Sequence, residues 1–246
     1  MDADEGLGRL RELGFSEADA QELWAHFDAA ERRGKQGHGH ARIPWLEELE
    51  GYHPAAEPGL FEEEEGFQCW HGAGTIGYLV LGHVVRAQLA RPPAHARLVV
   101  CERTFPTGML GYHVRRLAEG GLVGVLTATS PRRLGHPSGG PKLAGTNPLA
   151  IGIPSSGGDP IVVDVSMGAI TWGDVVAGLR QADELVPFGG EQAHKAFALA
   201  LGLQLLVDSL VRDEGHGAVL LVARPEADPV PALRELAAGV RLPGDS

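Results

Sequence analysis

The hexapeptide Gly37-His38-Gly39-His40-Ala41-Arg42 sets an imidazole four residues from a guanidinium. That pairing suits chemistry on a small acid. The imidazole can exchange a proton with a carbonyl or hydroxyl oxygen, and the guanidinium can grip a carboxylate with two parallel hydrogen bonds. A polar loop would read the same way. His38 and His40 alone make two metal ligands without a clear third and fourth, so no metal site is expected. The loop Gly139-Gly140-Pro-Lys142-Leu-Ala-Gly-Thr146-Asn147-Pro148 offers hydroxyl and amide groups on a stiff turn, facing either a ligand or the protein itself. Gly189, Gly190, His194 and Lys195 enter a helix whose free N–H groups can hold an anion, although glycines at helix starts are common without one.

Gly72-Ala-Gly-Thr-Ile-Gly77 spells the G-x-G-x-x-G of a dinucleotide loop. Its context argues otherwise: the preceding EEGFQCWH is a poor apolar strand, and the acid expected about 20 residues further on is replaced by RPPAHAR. Packing glycines at a helix start are the expectation, not a classical Rossmann unit.

The elements that must position these residues alternate. Residues 1–33 read as helical, with Ser16 as an N-cap and Leu23, Trp24, Phe27 and Ala30 on one face. Residues 54–66 read as a surface connection whose Glu62–Glu65 run is solvated. A helix of about five turns is expected from Gly72 to the Pro92-Pro93 break. Strands at 96–102, 122–128, 148–154, 160–166 and 217–223 interleave with helices at 111–121, 192–212 and 230–240. The pattern predicts an α/β or mixed α+β fold. The 192–212 helix is apolar nearly all round and is expected in the core. The domain reading puts 1–71 and 213–246 in a helical terminal domain and 72–212 in a central α/β domain.

Composition narrows the partners. Among 246 residues, 21 Lys+Arg against 32 Asp+Glu give a net charge of −11, which disfavours nucleic acid and anionic membranes. A small anionic substrate would need a locally basic pocket. Cys69 and Cys101 form no pair motif, the N-terminus carries no basic or apolar leader, and no apolar run looks long enough to span a membrane. A cytoplasmic protein with reduced thiols is expected.

Taken in order, the motifs resemble the malate/L-lactate dehydrogenase family, which includes ureidoglycolate, sulfolactate and diketogulonate enzymes and cyclic-imine 2-carboxylate reductases. The family's Arg-Gly-x-x-Ser-His-Gly-x-x-Arg element is matched by Arg33-Gly34, His38-Gly39 and Arg42. Its Gly-Gly-x-x-x-x-Gly-Thr-Asn-Pro loop is matched by 139–148, its double strand ending in Asp by 148–166, and its His-Lys helix start by 189–195. The resemblance implies the family's own non-Rossmann fold, a homodimer, and NAD or NADP as cofactor. It implies His38 as acid/base, Arg42 as carboxylate clamp and Asp164 as the group orienting the His. Ser130, Lys142, Thr146, Asn147, Ser166, Gly189, Gly190, His194 and Lys195 would line the cofactor side.

The chain also departs from that pattern. Gly37 stands for the family's Ser, Leu46 for its Tyr, Ala196 for a Gly, and Pro106 for a His that moves protons. Only about two dozen residues, 167–190, remain where the family has a long cofactor-contacting segment. Three readings follow: NAD(P)H-dependent reduction of a 2-oxo acid or cyclic imine 2-carboxylate, non-redox acid/base chemistry in a pocket without nicotinamide, or a non-catalytic binding subunit.

Overall fold

The computed structural model describes residues 1–213 and 215–245, so Glu214 and Ser246, both within the expected terminal domain, lie outside the described residues. The chain begins with α1 (Ala3–Glu12) and α2 (Glu17–Arg32), the latter capped by Ser16 Oγ, which accepts from the Asp19 N–H at 3.2 Å. A 3₁₀ turn (Gln36–His38) leads into α3 (Arg42–Glu48). Leu10, Leu23, Phe27, Ile43 and Leu46 meet Ile76, Tyr78 and Leu79 in one core cluster, which fixes the His38–Arg42 segment to the rest of the protein.

After this come β1 (Gly59–Glu64), β2 (Phe67–His71), α4 (Gly77–Ala90), β3 (Ala96–Glu102), α5 (Leu110–Glu119) and β4 (Val123–Ala128). They are followed by the short β5 (Leu134–Gly135) and β6 (Lys142–Ala144), β7 (Leu149–Ile153), β8 (Ile161–Val165), α6 (Trp172–Val176), α7 (Ala193–Leu210), β9 (Ala218–Ala223) and α8 (Val230–Leu236). Seven strands form one sheet in the order β1-β2-β3-β9-β4-β7-β8. Only the β2–β3 pair is parallel among the described strands. The mixed α+β expectation holds, with a mostly antiparallel sheet. Residues from α4 and α5, including Val80, Leu81, Val84, Leu110, Val114 and Leu117, close the main core against Val99, Leu126, Leu220 and Val222 of the sheet.

Four readings of the sequence need correcting. The glutamate run is no connection: β1 pairs antiparallel with β2, with Leu60 packed on the core. Its charges are used at the edge, where Glu62 pairs with Arg212 at 2.6 Å and Glu63 accepts from Gln68 at 2.6 Å. The poor strand before Gly72 is β2, whose buried Gln68 is tolerated because Gln88 and Trp70 both donate to its amide oxygen. The α4 helix starts at Gly77 rather than Gly72. A Cβ on Gly77 would fall inside the contact distance of the Thr104 carbonyl oxygen, and one on Gly72 inside that of Arg103, so these glycines serve close packing. The drawn domain boundaries cut the sheet, since β2 pairs with β3 across 71/72, and β9, beyond 212, runs between β3 and β4.

The α7 expectation is half right. Ala196, Phe197, Ala200, Gln204 and Val207 face inward, while Leu199 and Leu205 are 53% and 59% exposed. Gly190–Leu210 is long and apolar enough to cross a membrane, which the reading of the sequence missed; Ala200 instead joins Leu134, Ala144 and Met167 in a core cluster of its own. Both thiols are free and buried, and burial pushes Cys69 up to about 11 and Cys101 higher still.

Candidate active site

A cleft of about 460 Å³ opens where five segments meet: Gly34–Trp45, Phe105–Met109 after β3, Thr129–Arg133 after β4, Thr146–Pro148, and the stretch from Asp164 at the end of β8 to Asp174 in α6. This size suits a small organic ligand. Lys35, Arg42 and Arg133 face Asp164 and Asp174 around it, so a protein of net charge −11 carries a locally basic pocket.

Arg42 is its most constrained group. The side chain is 6% exposed, its Nε donates to the Gly37 carbonyl at 2.8 Å, and its guanidinium lies 4.6 Å from the Trp45 ring centre. Those contacts fix the plane of the fork. Among the described residues no carboxylate pairs with it. A guanidinium kept from water without a counter-ion is costly, which is the usual situation of a site that awaits an anion.

His38 lines the same cleft, and its Nδ1 is buried without a partner. Burial, with Arg42 and Lys35 alongside, depresses its pKa to about 3, so the imidazole is neutral at physiological pH. It can polarise an oxygen or take up a proton only as a neutral ring. Asp164 shares the cleft, but its Oδ2 pairs with Lys35 Nζ at 2.8 Å rather than with His38. The expected orienting role is therefore turned onto the lysine.

The residues expected on the cofactor side divide. Ser130, Thr146 and Ser166 line the cleft; Lys142, Gly189, Gly190, His194 and Lys195 do not. Lys142, His194 and Lys195 are exposed, and the glycines form a turn ahead of α7. Asn147 is fully buried and structural: it donates to the Ala200 carbonyl (2.9 Å) and Gln204 Oε1 (3.0 Å) and accepts from the Ser130 N–H (3.3 Å), tying its loop to α7.

Sequence reasoning missed Lys35, Arg133, Trp172 and Tyr78. Arg133 stacks 4.0 Å above the Trp172 ring, a contact between residues 39 apart with no spacing signal. Thr171 and Asp174 form a reciprocal capping box that holds Trp172 at the start of α6. Lys35 sits between Arg33-Gly34 and His38, but nothing local in the sequence marks its distant partner Asp164.

Behind the cleft, His26 and His113 are fully buried with ring centres 5.2 Å apart. Burial comes first in lowering both, His113 to about 3. An imidazole whose folded pKa lies below the unfolded 6.5 binds its proton first in the unfolded chain. Its stabilising effect is complete above about 6.5 and is lost as pH falls toward 3, by up to ~1.4 kcal/mol per pH unit per group. The urea midpoint should thus drop clearly between pH 7 and pH 5, and His113→Phe should flatten that slope. A midpoint independent of pH over this window would contradict the neutral-histidine core.

The cleft thus sets a buried guanidinium beside a neutral imidazole, an arrangement chemically able to receive a small anion. The sequence profile of the malate/L-lactate dehydrogenase family matches residues 7–190, and the chain belongs to that family. It is 29% identical to a Delta(1)-pyrroline-2-carboxylate reductase of Pseudomonas fluorescens over 65% of this chain and 54% of that one. It is 30% identical to the Delta(1)-pyrroline-2-carboxylate/Delta(1)-piperideine-2-carboxylate reductase of Pseudomonas aeruginosa over 83% and 69%. The chain spans about half the length of several curated relatives it matches. In fold it is similar to the delta1-piperideine-2-carboxylate reductase of Pseudomonas syringae (TM-score 0.81, 24% identity, 98% of this chain and 89% of that one). The malate dehydrogenase of Entamoeba histolytica gives a TM-score of 0.83 at 19% identity, over 98% and 84%.

Proposed function

We propose that the chain is a reductase that uses NADH or NADPH to reduce a small 2-oxo acid or cyclic imine 2-carboxylate. The observation that carries this reading is Arg42, a buried guanidinium with donors left over and no carboxylate among the described residues to meet them. A ligand carboxylate supplies the missing charge, and the fixed fork gives it a single orientation. Relatives named for reduction of cyclic imine carboxylates support the same substrate class.

The residues present suit the nicotinamide end of such a cofactor. Ser130, Thr146 and Ser166 offer hydroxyls that can both donate to and accept from a carboxamide. The Ser166 oxygen already accepts from the Gly168 N–H at 3.2 Å, which leaves its proton to donate. When bound, reduced nicotinamide supplies a hydride. The chain's own residues do the rest. Arg42 fixes the carboxylate, and neutral His38 offers its ring to the oxygen or nitrogen of the reacting double bond. Both carboxylates of the cleft have partners of their own: Asp164 pairs with Lys35, and Asp174 accepts from the Thr171 N–H and hydroxyl. Pro148 and Ile170, with the half-buried Trp172, reduce water at the reacting carbon and strengthen these interactions.

Titration with NADH and NADPH, followed by nicotinamide fluorescence, tests the proposal. Saturable binding of one of them is expected. No binding by a folded chain, judged by circular dichroism, would remove the redox reading.

A further inference from the structure

The reductase reading leaves one need unfilled: a proton for the oxygen or nitrogen of the reduced bond. Proline stands at 106, where the resemblance puts the family's proton-moving His, and His38 is neutral.

Tyr78 lines the same cleft, beside that very segment. Its backbone N–H donates to the Pro106 carbonyl at 3.0 Å, and its ring packs so tightly on Gly108 that no Cβ fits between them. His26 and Phe27 meet the ring edge-on at 4.9 and 5.2 Å between centres, which fixes its direction. The residue is 1% exposed, and its hydroxyl finds no hydrogen-bond partner among the described residues. A phenol is seldom buried with its O–H unmet. Burial raises the phenol above its ordinary value, so the group is protonated at neutral pH, and Arg42 nearby acts the other way, favouring the phenolate once it forms.

We propose that Tyr78 is the proton donor of the cleft. This rests on the reductase reading. The Tyr78 O–H bond breaks and its proton goes to the carbonyl oxygen or imine nitrogen of the bound acid. The adjacent carbon gains a hydride from reduced nicotinamide, which leaves as the oxidised cofactor. The phenolate, held beside Arg42, takes a proton back from water as the product leaves.

Tyr78→Phe keeps the ring and removes only the hydroxyl. Three measurements on the full chain separate the possibilities. Thermal unfolding should hold or rise by a few degrees, because an unmet buried hydroxyl is lost. Binding of oxamate, whose amide carbonyl imitates the 2-oxo group, should weaken about tenfold by calorimetry, with and without reduced nicotinamide. Reductase turnover should fall by about 10²–10⁴. A 3,5-difluorotyrosine at 78, which folds as tyrosine but ionises at lower pH, should move the alkaline limb of the pH–rate profile downward. Oxamate binding equal to the unaltered chain, or a lowered melting temperature, overturns the assignment. Absence of turnover in the unaltered chain defeats the reductase reading instead, while the oxamate and melting arms still decide Tyr78. An unaltered chain that fails to bind oxamate overturns both.

Discussion

Replacing Arg42 with methionine should lower kcat/KM for a 2-oxo acid or cyclic imine carboxylate by about 10²–10³, mostly through a higher KM. A carboxylate held by a buried guanidinium gains two charge-assisted hydrogen bonds at once, and truncating one partner of such a pair costs ~2–5 kcal/mol. Lysine at 42 should recover only part of this, because an ammonium is a point donor and cannot present a planar fork. The effect on folding should be small: methionine forfeits the hydrogen bond to the Gly37 carbonyl and the Trp45 stacking, but it also removes a buried charge that no carboxylate among the described residues neutralises. Steady-state kinetics together with thermal unfolding check this. A variant that melts far lower while its KM is unchanged would make Arg42 a structural residue and take away the main support for a carboxylate substrate.

How much of this was legible in the sequence depends on the range of the interaction. Elements specified by local pattern came through: the Ser16 cap, the strand 96–102, and the apolar strands on either side of the SSGGD turn are where periodicity puts them. The GHGHAR and Asp164 positions share a cleft because motif order carries the family's geometry with it. What failed was set by partners distant in sequence. β1 looked like a mere surface connection because its pairing with β2 and the Arg212 counter-charge are invisible locally, while Glu63, Glu64 and Glu65 are exposed as the acidic run suggested. Asp164 looked like a partner for His38 because Lys35, 129 residues away, gave no sign that it would take the carboxylate. Asn147 looked like a ligand group because its hydrogen bonds to α7 cross more than fifty residues. Arg133 on Trp172 had no motif at all.

Gly37 is the departure that the fold accounts for best, and it gives the other large expectation. At this position the family pattern has a serine before its histidine. Here a Cβ would sit 2.6 Å from the Asp174 backbone nitrogen and 2.7 Å from the Gly173 carbonyl carbon. The relation is mutual, since a Cβ on Gly173 would press on the Gly37 carbonyl oxygen and come within 2.5 Å of Arg42 Nη2. Two glycines thus let the short 167–190 segment lay α6 directly on the turn that carries His38, and the turn's own carbonyl is the one that orients Arg42. Restoring serine at 37 should force these backbones apart, at a cost of about 1–3 kcal/mol, the range for overpacking a tight contact. For a chain of this size that lowers the melting temperature by roughly 2–12 °C. Oxamate binding should weaken in parallel, because the turn that positions Arg42 and the Trp172 that carries Arg133 shift together. Gly173→Ala should have a similar effect. Since both changes break one contact, the double variant should cost little more than the worse single one, and a double-mutant cycle reads that coupling directly. Two costs that add in full would place the strain at separate sites and leave Gly37 without this explanation.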